Sequence, residues 1–348
     1  MQALFKQEQT HLTHSTQPVS GESALFPILQ NGKVGFINRT GHVIVAPQFM
    51  MEKTMNFRVL SAISARGSLE GLIAVKTGGS WAYMDNNGTM VSESIFEGAG
   101  SFSQGFAPVK MGGRWGYIDR AAKFAVNPQF EDAGAFSDGF AAVKKEEKWG
   151  FINHCGEWLV EPQFDDLTGR RWSSVDTETG HGHFSGGFAG AKVGDKWGYI
   201  DRSGKFTIVP KYEDAHSFFD GLAAVKLEGK WGFINESGDI AINPQFEEVG
   251  GFGSRLAPAK ATEGWGYIDT TGDWVANPQF PDADSFFEGR AAVKLGDKWG
   301  YIEASGQYAI TPRYSEAGDF ANGLAPARLE QDWAYIDYKG LYVWGPTH

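Results

Sequence analysis

An all-β array of tandem repeats is the fold class this sequence predicts, on three observations. Glycine (46), phenylalanine (26) and tryptophan (12) are too abundant for an ordinary helical protein in a chain of 348 residues. A Trp-Gly or Trp-Ala pair begins at Trp81, Trp115, Trp149, Trp197, Trp231, Trp265, Trp299 and Trp333, with successive spacings of 34, 34, 48, 34, 34, 34 and 34 residues. Between these pairs lie short β-rich runs broken by glycine turns, and none shows a 3.6-residue period. A fixed period of this length marks modules that stack on one another.

Residues 1–22 read as a polar leader expected to lack structure, and 23–348 as the array. A degenerate first copy, Val34-Gly35-Phe36-Ile37-Asn38, brings the number of repeats to nine. One clean unit runs Gly221–Lys226, a Leu-Glu-Gly turn, Lys230–Asn235, a Glu-Ser-Gly turn and Asp239–Pro244, which predicts a three-stranded antiparallel meander. The second turn carries Asp, Asn or Glu followed three residues later by Gly, a side-chain acceptor plus a residue free to take positive φ. Ala122 alone breaks that rule. Pro47, Pro128, Pro162, Pro210, Pro244, Pro278, Pro312 and Pro346 end the third strand, because proline has no N–H to continue a ladder. In Trp231-Gly232-Phe233-Ile234 both faces of the strand are apolar, so each sheet must be sandwiched between neighbours. The glycine is expected to leave room for a ring from the adjacent unit, and the eight repeated tryptophans are read as core rather than as stacking platforms.

Lys148-Trp149-Gly150-Phe151-Ile152, Lys196-Trp197-Gly198-Tyr199-Ile200-Asp201, Lys230-Trp231-Gly232-Phe233-Ile234 and Lys298-Trp299-Gly300-Tyr301-Ile302 are each followed by Pro-Gln-Phe or Pro-Lys/Arg-Tyr. This pattern resembles the WG (KWG) repeat family. The resemblance implies a β repeat array with a binding or scaffolding role, often in bacterial proteins, and implies no catalytic residues. Departures at Val34, Ala82 and Ala334 sit near the ends, where terminal repeats commonly diverge.

Two architectures accommodate such sheets: an open solenoid or superhelix, and a closed propeller-like ring. Propellers usually have four strands per blade and often share one blade between the chain ends. The first and last copies here each supply all three strands from one stretch of chain, so the open form is the expectation and the closed ring its alternative.

Function is less legible than architecture. The net charge of −11 argues against nucleic acid, no run of about 18 apolar residues suggests a membrane span, and Met1 to Ser20 has no apolar signal core, which together predict a cytoplasmic protein. No nucleophile elbow, phosphate loop or His-Glu-x-x-His is present, so no enzyme, cofactor or metal is expected. His181, His183, His154 and Cys155 do not make up a ligand set, and Cys155 has no basic neighbour to activate it. Insertions near residues 50–68 and 165–183 occupy the same part of the repeat and should emerge from one edge. The second supplies Arg170, Arg171, Trp172, Asp176 and Glu178 as candidate partner-binding residues. The expectation is a non-catalytic, monomeric protein-binding scaffold for a basic partner, in its narrowest form a cytoplasmic immunity or antitoxin-like protein. The alternative is a module for glycans or peptidoglycan fragments, using Trp158, Trp172, Trp274 and Trp344.

Overall fold

The structure, a computed structural model, describes residues 24–51, 70–167 and 182–345. The elements of these residues are all β-strands, arranged in eight antiparallel sheets. The fourth repeat shows the unit. Strand A (Ala141–Lys145), strand B (Lys148–Ile152) and strand C (Trp158–Phe164) form the expected meander. A two-residue lead strand, Asp132–Ala133, pairs with the free side of A. Further leads are Gly98–Ala99, Asp166–Leu167, Asp214–Ala215, Glu248–Val249 and Glu316–Ala317, while in the eighth repeat the lead shrinks to the single bridge Ala283↔Val293. The first two repeats run together as one five-stranded sheet through Met50↔Lys76, so the eight sheets hold nine repeats. The three-stranded reading missed the lead because two residues are too short to display an alternating pattern.

Nine clusters of buried apolar side chains join the repeats. Eight link neighbours in sequence; the ninth packs Ala24, Phe26, Ile28 and Ile37 against Leu324 and Tyr335, with the Phe26 and Tyr335 rings 5.4 Å apart. Nine modules in an open stack have eight interfaces, and a ninth closes the ring. The expected open solenoid is therefore corrected to a closed β-propeller, and each repeat is a blade. The ends share no strand among the described residues, so side-chain packing does the closing and the usual sequence cue for closure is missing.

One contact recurs at the junctions. An aromatic on strand B meets the phenylalanine that follows the next lead: Tyr83–Phe102 at 5.0 Å, Tyr117–Phe136 and Tyr199–Phe218 at 4.8 Å, and Tyr301–Phe320 at 5.0 Å. The hydroxyls of Tyr83, Tyr117, Tyr199, Tyr267 and Tyr301 on strand B donate to a backbone carbonyl of the next blade, at Gly100, Gly134, His216, Asp284 and Gly318, over 2.7–2.8 Å. Each bond satisfies a buried carbonyl that would otherwise be orphaned between sheets.

The glycine beside each tryptophan serves strand C, not a neighbouring ring. Strand C pairs Trp231 with Phe246 and Phe233 with Ile242, so two extra residues bulge out at Asn243-Pro244. That bulge crosses directly over Gly232, where a Cβ would lie 2.5 Å from the Ile242 carbonyl oxygen and 2.6 Å from the Pro244 nitrogen. Trp-Gly and Pro-Gln-Phe are thus two halves of one device. Gly266 differs only in adding the Trp274 ring to the backbone atoms that fill its space. In blades 3 to 8 strand C forms the edge of its sheet, and its proline interrupts edge-to-edge pairing with other chains.

Candidate binding surface

A ring of antiparallel blades has two faces. One carries the A–B hairpins; the other carries the B–C turns and the hairpins from lead to strand A. The second face is built by side-chain capping. In each B–C turn the Asp or Asn accepts two backbone N–H bonds: Asp201 from Ser203 and Lys205 at 2.8 and 3.2 Å, Asn235 from Ser237 and Asp239 at 3.0 Å, Asp269 from Thr271 and Asp273 at 2.8 and 3.1 Å. The hydroxyls of Ser203 and Thr271 also donate to Asp201 and Asp269, and these side-chain bonds lead the causes holding both carboxyls below their ordinary range. The turn glycine has a second role: a Cβ on Gly238 would sit 3.1 Å from the Ile208 side chain of the preceding blade. Ala122 adopts φ of 58° in the glycine slot of its own turn.

Neighbouring blades are clasped across this face. Arg120 reaches Glu70, Arg202 meets Asp138 at 2.9 Å, and the Tyr338 hydroxyl donates to Glu288 at 2.7 Å. Burial, with help from Glu288, pushes the Tyr338 phenol up to about 12. Glu288 also accepts the N–H groups of Asn322 and Gly323 at 2.8 and 2.9 Å, tying the hairpin of blade 9 to blade 8. At the ring closure Arg39 lies against Gly323 in the same arrangement.

Charge is unevenly distributed among the B–C turns. Beside their capping Asp119 and Asp201, blades 3 and 5 present Arg120 with Lys123 and Arg202 with Lys205, whereas blades 6 to 8 present Glu236, Asp239, Asp269, Asp273 and Glu303 with no basic residue in the turn. Glu236, Asp239 and Asp273 are exposed and carry no ion pair among the described residues. The basic groups nearby are Arg255 and Arg290, and Arg290 lies 3.9 Å from Glu303. The result is an acidic sector spanning three adjacent blades. Sequence reasoning counted only total charge and missed it. The signal was available at the positions one and four residues after each capping Asp or Asn.

The predicted site residues are distributed as follows. Arg170, Arg171, Trp172, Asp176 and Glu178 lie outside the described residues, as does His181. The roots of both insertions are visible: one leaves after Met51 and returns at Glu70, the other leaves after Leu167 and returns at Gly182, so both interrupt the lead region, of blades 2 and 5. Ser137 still donates to the Phe184 carbonyl at 3.3 Å, which shows that the longer connection leaves the junction intact. Of the repeated tryptophans, Trp115, Trp149, Trp197, Trp231, Trp265 and Trp299 are buried, and Trp81 and Trp333 are half-buried. Lys or Arg from strand A lies over several of these rings, for example Lys192 over Trp197 at 5.8 Å. Trp158 and Trp274 are half-buried, edge-on to Phe130 at 5.9 Å and Phe246 at 5.7 Å, and Trp344 packs into the closing junction. Among the described residues no three His, Cys, Asp or Glu side chains converge on a metal-sized site, and no helix is long and apolar enough to cross a membrane.

The fold and its repeated Trp-Gly, capped turn and Pro-Gln-Phe devices define a closed repeat propeller. Within that class the chain belongs to the WG containing repeat family, whose model matches residues 35–49, 81–115, 115–149, 149–169, 197–231, 231–260, 265–299 and 299–333, more than half of the sequence. These are eight matched segments against the nine blades of the ring. No curated protein matches it in sequence. Among solved structures it is similar to the eukaryotic initiation factor, with a TM-score of 0.59 at 9% identity over 93% of this chain and 96% of that one. Dihydro-heme d1 dehydrogenase NirN has a TM-score of 0.45 at 12% identity, covering 79% and 72% of the two chains. Kluyveromyces lactis Hsv2p has a TM-score of 0.43 at 11% identity, covering 71% and 94%.

Proposed function

We propose that the protein is a non-catalytic binding scaffold whose B–C turn face receives a basic protein partner. The acidic sector of blades 6 to 8 carries this reading. Its exposed carboxylates at Glu236, Asp239 and Asp273 stand on capped turns held by a closed ring. Rigid presentation limits the ordering cost of association, and a single-sign patch steers an oppositely charged partner. The expected contacts from Arg170, Arg171, Trp172, Asp176 and Glu178 enter the same proposal as a second point of attachment. Occlusion of a basic toxin in the cytoplasm is its narrowest form, supported by the acidic balance and by the family's association with scaffolding.

The test is capture of defined basic and acidic bait proteins by the full chain, at low salt and at about 0.5 M salt, where the Debye length falls well below 10 Å. Basic baits should be retained by the wild-type chain at low salt and lost by Glu236→Lys, Asp239→Lys and Asp273→Lys combined. Equal retention by the triple variant would end the proposal. Alanine at Arg170, Arg171 and Trp172 should weaken capture while leaving the melting temperature unchanged; a fall in melting temperature instead would assign those residues to the core.

A further inference from the structure

On the opposite face, strand A of blade 4 turns into strand B through Glu146-Glu147, both in the left-handed region at φ of 53° and 62°. A side chain makes that region costly. Glycine occupies at least one of the two turn positions in six of the other eight A–B hairpins, Asn31-Gly32, Gly78-Gly79, Gly112-Gly113, Gly194-Asp195, Glu228-Gly229 and Gly296-Asp297; Thr262-Glu263 and Glu330-Gln331 lack it, and of these four residues only Glu330 has positive φ. No other described A–B turn places two side-chain-bearing residues in that region. The strained pair is held by Glu131, whose carboxylate accepts the N–H of Glu146 at 3.1 Å and of Glu147 at 3.0 Å. Strain kept where glycine would relieve it directs attention to what the side chains border. Glu146, the first of the pair, borders a hollow of about 290 Å³ lined also by Lys145, Lys148, Trp158, Glu161 and Pro162.

We propose that this hollow is a subsite for an acidic sugar, a single pyranose ring bearing a carboxylate. Trp158 supplies the platform: it is half-buried, fixed edge-on to Phe130, and the electron-rich face of its indole suits the C–H face of a sugar ring. Lys145 supplies the charge. It is exposed and without an ion-pair partner among the described residues, whereas Lys148 is engaged by Asp165. An ammonium facing a carboxylate gives a charge-assisted hydrogen bond, and the Glu161 carboxylate offers acceptors to ring hydroxyls farther along. The volume lies near the small end of ligand sites, which suits one ring rather than an extended chain. Because the hollow lies between the A–B hairpin and strand C of blade 4, away from blades 6 to 8, its failure would leave the acidic sector untouched, and the reverse also holds.

The experiment is titration of the full-length protein with glucuronate, glucose and acetate by isothermal calorimetry and ligand-observed NMR. Glucuronate should bind saturably, and glucose and acetate at least about tenfold more weakly, each lacking one half of the recognition. Trp158→Phe and Lys145→Gln should each weaken glucuronate about tenfold, the loss of one good contact. The paired change Glu146→Gly with Glu147→Gly should raise the melting temperature and, by removing the Glu146 carboxylate from beside the ligand's own, tighten glucuronate; weaker glucuronate binding in this variant would count against the charge argument. Absence of saturable glucuronate binding, or binding indifferent to both Trp158→Phe and Lys145→Gln in folded variants, would overturn the proposal.

Discussion

Gly232→Ala should be far more damaging than its size suggests. The added methyl would meet the Ile242 oxygen at 2.5 Å, the Pro244 nitrogen at 2.6 Å and the Asn243 carbonyl carbon at 2.8 Å, all backbone atoms that cannot rotate away. Strand C would have to lift from strand B. Overpacking of this kind costs about 1–3 kcal/mol. Lifting also loosens the Trp231↔Phe246 pairing, worth about 1 kcal/mol in hydrogen bonds. The Phe246 ring would leave Trp274, its edge-on partner at 5.7 Å, removing about 0.5–1.5 kcal/mol more. The expected destabilisation is therefore about 3–5 kcal/mol. Gly229→Ala is the control: it sits in the adjacent hairpin at φ of 77° with nothing within 4 Å of a Cβ, so only the left-handed penalty of about 1 kcal/mol applies. Urea unfolding followed by far-UV circular dichroism compares the two, and hydrogen exchange shows whether protection falls first in blades 6 and 7. A Gly232→Ala variant no less stable than Gly229→Ala would refute the reasoning that bulge and glycine are one device.

The buried tyrosines predict an alkaline limit. Burial raises the phenols of Tyr83, Tyr117, Tyr199 and Tyr267 far above the ordinary value of 10.0, so the native state keeps them protonated while an unfolded chain ionises near 10. Stability should be intact below that pH and fall as pH rises above it, with tyrosinate absorbance appearing together with unfolding rather than before it. Tyr199→Phe should cost about 1–3 kcal/mol by orphaning the His216 carbonyl, measured by urea midpoint. Lys211→Arg should stabilise by about 1 kcal/mol, because the Tyr212 hydroxyl is buried without a hydrogen bond whereas Arg313 serves Tyr314 at 2.9 Å in blade 8; an unchanged urea midpoint would count against it. His154 stacks on Phe106 at 4.8 Å, and burial alone holds its pKa below 6.5, so stability should be full above pH 6.5 and decline as pH falls toward the native pKa. Replacing His154 with Phe should flatten that acid-side slope in thermal melts.

Local devices were readable from residue types, and global closure was not. Asn235, Asp269 and their counterparts announce a turn because a short acceptor side chain followed by glycine has few other uses. The prolines, expected to end strand C, instead lie inside it: the strand bulges at Pro244 and pairs again at Phe246, because the glycine opposite makes room for the missing ladder bond. The lead strands are hidden because Asp132–Ala133 or Asp214–Ala215 carry no alternating pattern, although their partners Lys144 and Lys226 lie in plainly readable strands. Whether blades bend into a ring depends on the angle at each junction, which Tyr117, Phe136 and Gly156 set jointly across distant positions. Closure then rests on Phe26 meeting Tyr335, a pairing that nothing in either repeat alone specifies. The acidic sector was visible in principle, but only after the repeats are superposed so that Glu236, Asp273 and Glu303 fall on one face with Arg120 and Arg202.

Because Ala24 and Trp344 meet in the same cluster as Phe26 and Tyr335, the beginning and end of the ring are neighbours, joined by contacts of the same kind that join every other pair of blades. Circular permutation should therefore be tolerated. Linking the two ends with a short flexible tether and opening the chain at an exposed hairpin such as Gly112-Gly113 would relocate the seam without altering any interface, which makes this propeller a scaffold whose termini can be moved to whichever blade an engineer needs.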